Sequence, residues 1–433
     1  MTHLPFRLRL AQKTQHRIYY GWVVVGVMVI SNLMAFSINP TFGLFITPLE
    51  AELGWSRSAI SLAPTLGTLF GICIVPMLGF IADRFGVRRL LLSASVIVAI
   101  CLSLLSQITS LWQFYLLFGL LSGVLSNGIG LLGSSVVISR WFAQRRGRAM
   151  ATVMMGASGG AFLFISLLSY LIEKHSWRTA YLVHGSLALV FIAIPVGLLL
   201  IDRPEQLKPK EPPLDNTIEG EKSTNSKTTT PEDVSWTLTE AIRTRALWLT
   251  LAGSMLGAFS VGGYFTHAVP HMENLGFSRT LASSAWATFF FVGVFAKGLW
   301  GFVTDWIGVR WALSFLYLGE TLGLFLLLSA SKPAHLFFYA VITAICHGPF
   351  LQLSSQVWGD LFGPKNVGRI YGSIQPGIVI ASAAGPLAGG VLFDLTGNYQ
   401  LFFKIMMGLT LTAAAIFWLT PPPVKPIISD KRK

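Results

Sequence analysis

Charge is scarce in this sequence. Of its 433 residues, 12% are Asp, Glu, Lys or Arg, about half the share in an average soluble protein. Hydrophobic residues make up 53% and the mean hydropathy is +0.63, so a soluble fold could not cover such a core with polar surface. Cysteine is scarce too. Cys73, Cys101 and Cys346 stand singly in apolar runs, which excludes a disulfide framework and a zinc site and points to no other metal. There is no phosphate loop. The glycine-rich stretch 156–160 lacks the strand context of a dinucleotide loop and reads as helix packing. An enzyme, a bound cofactor, a nucleic-acid partner and ATP-driven pumping are therefore not expected. The N-terminal tail has no short apolar core followed by a small-residue cleavage site, so no cleaved signal peptide is expected.

What the chain has is apolar runs of about 20 residues, the length that a bilayer core of roughly 30 Å demands of a helix. They predict twelve spans at 20–46, 58–80, 90–108, 112–138, 149–171, 179–201, 246–269, 280–301, 312–331, 335–358, 369–392 and 400–420. On this map 25 of the 32 Lys and Arg residues fall on one side and 6 on the other, with Lys297 inside span 8. That bias, and the even span count, put both termini in the cytoplasm. The expected location is the plasma membrane, as in a bacterial inner membrane. Residues 202–240 are polar, with no apolar periodicity, and read as a disordered cytoplasmic linker. It separates a tail (1–19) and a six-helix bundle (20–201) from a second bundle (241–420) and tail (421–433). TLTEAIRTRALW, just before span 7, reads as a short amphipathic segment at the membrane surface.

The two halves repeat. Pro48, Gly54, Ser56 and Arg57 recur 222 residues later as Pro270, Gly276, Ser278 and Arg279. The same offset takes Gly79, Asp83, Gly86 and Arg88 to Gly301, Asp305, Gly308 and Arg310. Two parallel repeats place a binding site at their interface near the midplane and permit alternating access by rocking. The expected fold is all-α and integral to the membrane, with twelve helices in two six-helix pseudo-repeats.

GFIADRFGVRR at 79–89 resembles the signature of the major facilitator superfamily. Five segments resemble its monocarboxylate porter branch, which includes oxalate/formate-type antiporters: YYGWVVV at 19–25, FGLFITPLEAELGWSRS at 42–58, RWFAQRRGRAMA at 140–151, HAVPHMENLG at 267–276, and GRIYG with AGPLAGGVLFDLTGNY at 368–399. The resemblance implies a secondary transporter of a small organic anion, with a coupled proton possible, functional as a monomer. Rival readings are an antiporter or exporter of an aromatic or amphipathic compound in the same fold, and a non-transporting membrane receptor or sensor. Phe289, Phe290, Phe291, Trp286 and Trp300 could hold an aromatic cargo.

Lys297 is the leading site residue. A charged side chain within a span costs about 2.5–3.5 kcal/mol on insertion scales, so it needs a reason. Gly293 and Gly301, one turn to either side, allow close helix approach, so this face points into protein. Its repeat partner is Val75, so the scaffold needs no cation there. The branch it resembles usually has an arginine here, gripping the carboxylate, and mammalian members add an aspartate where this chain has Gly293. Lysine keeps the charge without the bidentate fork. The competing reading is a snorkelling lysine. Asn127, His347, Gln375 and Asn32 are candidate polar contacts, with Asn39 a further donor. Lys297, His347 and Glu320 are candidate proton carriers; helix-packing hydrogen bonds are the alternative for His347 and Glu320, the resemblance putting span 9 on the periphery. His267 reads as a lining of the outer vestibule and His271 as loop. No Lys or Arg lies between Ile370 and Phe393, which disfavours a doubly charged anion held by two cations. Gly79, Asp83, Arg84, Gly86, Arg88, Asp305 and Arg310 form the expected gating motif, away from substrate.

Overall fold

The computed structural model describes residues 11, 19–122, 130, 133–142, 145–202, 204, 236–348, 350–363, 365–421 and 423. Among the described residues every regular element is helical. Among the described residues eleven helices are long and apolar enough to cross a membrane. Span 4 is divided among Leu111–Phe114, Tyr115–Ser122 and Gly133–Trp141, with residues between them outside the description. Asn127 lies there too.

Several helices outrun the apolar runs that predict them. Span 2 is Arg57–Phe85 and span 8 is Arg279–Ile307, each 29 residues. Both begin with a serine N-cap: Ser56 Oγ accepts from Ala59 N, and Ser278 Oγ from Leu281 N. Both stop at a glycine with positive φ, Gly86 at 88° and Gly308 at 79°, where a side chain would be strained. The repeat read in the sequence is thus a repeat of helix caps. The arginines after those glycines repeat as well. Arg88 donates from Nη2 to Gly197 O at 2.7 Å, tying span 3 to the end of span 6. Arg310 donates from Nη1 to Thr420 O, tying span 9 to the end of span 12.

Span 5 (Arg146–Lys174) packs on span 1, which begins with Tyr20–Ala35. Span 7 (Arg245–Asn274) packs on span 11 (Val367–Thr396). The linker expectation lies mostly outside the described residues, but Trp236–Glu240 depart from it. Trp236 N donates to Phe362 O at 2.9 Å, and Thr237 and Glu240 form a capping box that starts a short helix, Leu238–Ile242. This segment packs on the second bundle. His271, expected in a loop, sits in span 7, fully buried and stacked on Phe403 at 4.4 Å.

Apolar packing divides the molecule unevenly. One continuous core takes in the first half together with the 7–8 loop end of the second. The opposite end of the second half has its own core, around Trp358, Leu316 and Phe417. Among the described residues the halves share a core at one end only.

Candidate functional site

That shared end is also tied by hydrogen bonds between the halves. Asp394, near the end of span 11, accepts from the backbone N–H groups of Arg57 and Ser58, each at 3.0 Å. A carboxylate of the second half therefore caps a helix of the first, where it meets the helix dipole favourably. Glu173, near the end of span 5, accepts from Thr280 Oγ1 at the start of span 8, at 2.6 Å. Asp394 lies 221 residues after Glu173, and Thr280 lies 222 after Ser58, so the two ties are repeat counterparts. The offset could have revealed this pair from sequence. Further in, Trp286 Nε1 donates to Pro40 O at 2.9 Å, Thr65 Oγ1 to Ala383 O at 2.8 Å, and Ser169 Oγ to Ser283 Oγ at 2.7 Å.

The innermost cross-half bond described is that of Lys297. Its Nζ donates to Ser158 Oγ of span 5 at 2.7 Å. Lys297 is half-buried and reaches sideways to the other half. A neutral hydroxyl satisfies one of its three donors and none of its charge. Among the described residues no carboxylate forms an ion pair with it. A Cβ added at Gly293, one turn earlier, would meet nothing within 4 Å among the described residues. Among the described residues the site is therefore a cation without a counter-charge, with open space beside Gly293. Beyond it the facing surfaces are exposed: Met155 and Ala151 on span 5, Gly298 and Asp305 on span 8, Pro76 and Asp83 on span 2, Gly372 and Pro376 on span 11. The halves close at the 7–8 loop end and part at the 2–3 loop end, with Lys297 where they separate.

The other candidates divide. Asn32 is fully buried and spends its Nδ2 on Met28 O at 2.7 Å and Ser134 Oγ at 2.6 Å. It ties span 1 to span 4 and has no donor left for an anion. Gln375 is half-buried on span 11, with its Oε1 unpartnered among the described residues. His347 does not pair with Lys297. Its Nδ1 lies 3.6 Å from Glu320 Oε1, and Glu320 is fully buried. Glu320 thus faces the inside of its bundle, where Ser260 Oγ of span 7 donates to it at 2.8 Å, a bond of the helix-packing kind read as its alternative in the sequence. His267 is packed in the tied end instead of lining a vestibule. Its Nε2 is 2.7 Å from Pro386 O and its Nδ1 3.2 Å from Tyr399 OH. Among the aromatics, Trp286 and Trp300 spend their indole N–H groups on backbone carbonyls, Pro40 O and Ile345 O. In the gating motif Asp83 is exposed and, among the described residues, forms its ion pair with Arg140, at 3.4 Å and from its own half. Arg84 and Asp305 are exposed. Ser158 gave no signal in the sequence.

The profile of the Major Facilitator Superfamily matches residues 25–285 and 263–433. The chain belongs to the Major Facilitator Superfamily. It is a multi-pass membrane transporter. It is similar to monocarboxylate transporter 13 of Rattus norvegicus, 27% identical over 93% of this chain and 89% of that one. It is also similar to the MFS transporter asaE of Aspergillus flavus, 25% identical over 92% and 86%. Among solved structures, the nucleoside transporter NupG superposes with a TM-score of 0.72 at 12% identity, covering 92% of this chain and 99% of that one. A likeness at that identity carries the superfamily fold alone.

Proposed function

We propose that this transporter carries a small organic anion, a monocarboxylate, by alternating access, and that its conformation here is inward-facing. The observation that carries the reading is Lys297, a cation within the membrane whose described partner is the neutral Ser158 across the interface. An anion arriving beside it gains the charge interaction that Ser158 cannot supply. The names of the monocarboxylate transporter relatives favour the same cargo class. With the arginine- and lysine-rich loops in the cytoplasm, the parted end opens to the cytoplasm and the tied end faces outward.

The test is uptake of radiolabelled lactate, pyruvate and benzoate by proteoliposomes of wild type and Lys297→Ala. Uptake of at least one acid, falling to background in Lys297→Ala, is expected. Uptake that survives the substitution unchanged removes Lys297 from the site.

A further inference from the structure

Glu320 and His347 take no part in the anion contact. Glu320 is 0% exposed and His347 6%. Their 3.6 Å separation is too long for a hydrogen bond and short enough for each to feel the other's charge. Ser260 Oγ, from span 7, donates to Glu320 Oε1 at 2.8 Å. Oε2 has no partner among the described residues. The other titratable groups facing the pair are Tyr264 from span 7, Tyr317 from span 9, and Tyr339 and Cys346 from span 10. No lysine or arginine is among Glu320's described ion-pair partners.

Packing alone does not call for this pair. At the 222 offset Glu320 corresponds to Val98, which is equally buried in span 3. The scaffold accepts a hydrocarbon there, whereas a buried, incompletely bonded carboxyl is costly. His347 also lies beside the Lys297 region of span 8: a Cβ on the next residue, Gly348, would lie 3.3 Å from both Gly293 O and Ala296 Cβ.

We propose that Glu320 and His347 together form the proton-binding site of this carrier, taking up one proton each time Lys297 takes up an anion. The proposal rests on the anion reading of Lys297. In the empty carrier the deprotonated pair bears one negative charge, which balances Lys297. In the loaded carrier the anion neutralises Lys297 and the proton neutralises the pair. Both forms carry no net charge in these groups, so both can rock. Anion alone, or proton alone, leaves one uncompensated charge within the membrane, and that form is held back. No bond other than that to the proton forms or breaks.

The experiment uses the full chain in proteoliposomes with labelled pyruvate, lactate and benzoate. It compares acid-for-acid exchange at equal pH with accumulation driven by an inward proton gradient. With one proton per anion, a gradient of about one pH unit sustains about tenfold accumulation. Glu320→Gln, which fixes the uncharged form, is expected to keep exchange and to lose accumulation; His347→Gln is expected to lose accumulation as well. Accumulation at the wild-type level in Glu320→Gln overturns the proposal, as does a wild type that exchanges but never accumulates. A wild type that carries no acid, or a Lys297→Ala that carries it normally, is a failure of the anion reading and shows in a different arm. The proton site then stands or falls on infrared titration of the protonated-carboxyl band in the purified protein. A band that responds to pH and is displaced in His347→Gln supports the pair. A band indifferent to both overturns it, and this readout holds even if Glu320→Gln does not fold.

Discussion

The two faces of span 5 make contacts of different kinds. Towards span 1, a Cβ on Gly156 or Gly160 would overlap the carbonyl oxygens of Val29 and Leu33. Towards span 8 the contacts are Ser169 with Ser283, Phe162 with Phe291 at 5.4 Å between ring centres, and Ser158 with Lys297. The first face has no room for anything but backbone on backbone. The second is a line of small polar and aromatic contacts between side chains, of which the two polar ones can be exchanged for water. The same helix thus welds its own half and makes a temporary join with the other. A rocking carrier needs both.

The contrast can be broken from either side. Gly160→Leu is expected to have the largest effect: overpacking against backbone costs about 3 kcal/mol or more, and size-exclusion profiles should show no folded carrier. Gly390→Leu strikes the temporary join, where an added Cβ would lie 2.7 Å from Arg57 O. The expected result is a folded protein with transport at background, because the outer end no longer closes; a collapse like that of Gly160→Leu would erase the distinction. Asp394→Asn should do less. It removes the charge and one acceptor from a cap, about 1 kcal/mol, and should shift the population several-fold towards the outward-open form, read as faster alkylation of a cysteine placed at Thr65. The smallest effect is expected at Glu52, which joins elements of one half. The indole N–H of Trp177 and then Arg178 hold its carboxyl below the ordinary carboxylate value. A lowered folded value means stability present above the unfolded value and lost as pH falls through the folded one. Glu52→Gln should therefore lower Tm by about 2 °C at neutral pH, converge with wild type in acid, and leave transport unchanged.

Much of this was legible in the sequence because the signals are local. Hydropathy marks the spans, and the 222 offset marks the caps at Ser56, Gly86, Ser278 and Gly308. Helix ends were less legible: hydropathy reports the hydrocarbon layer, whereas Arg57–Phe85 runs on until Gly86 stops it. Lys297 stood out as a lone cation in an apolar run. Ser158 did not, since a serine 139 residues away carries no mark of the contact. Glu320 was visible as an ionisable residue, but the direction it faces depends on how span 9 packs, which no periodicity in one helix determines. His267 and His271 were misplaced for the same reason: the 7–8 loop end is shut in this conformation, and both are packed inside it.

The bond between Lys297 and Ser158 lies where the joined and parted surfaces of the two halves meet. Trp286, which anchors the joined surface, is eleven residues back along span 8, about 16 Å at 1.5 Å per residue. If the halves turn like a lever, the lysine is at the fulcrum. Points far along the arms sweep through the largest arcs, while a point at the pivot barely moves. The cargo would then stay almost still while the membrane's two sides are exchanged around it.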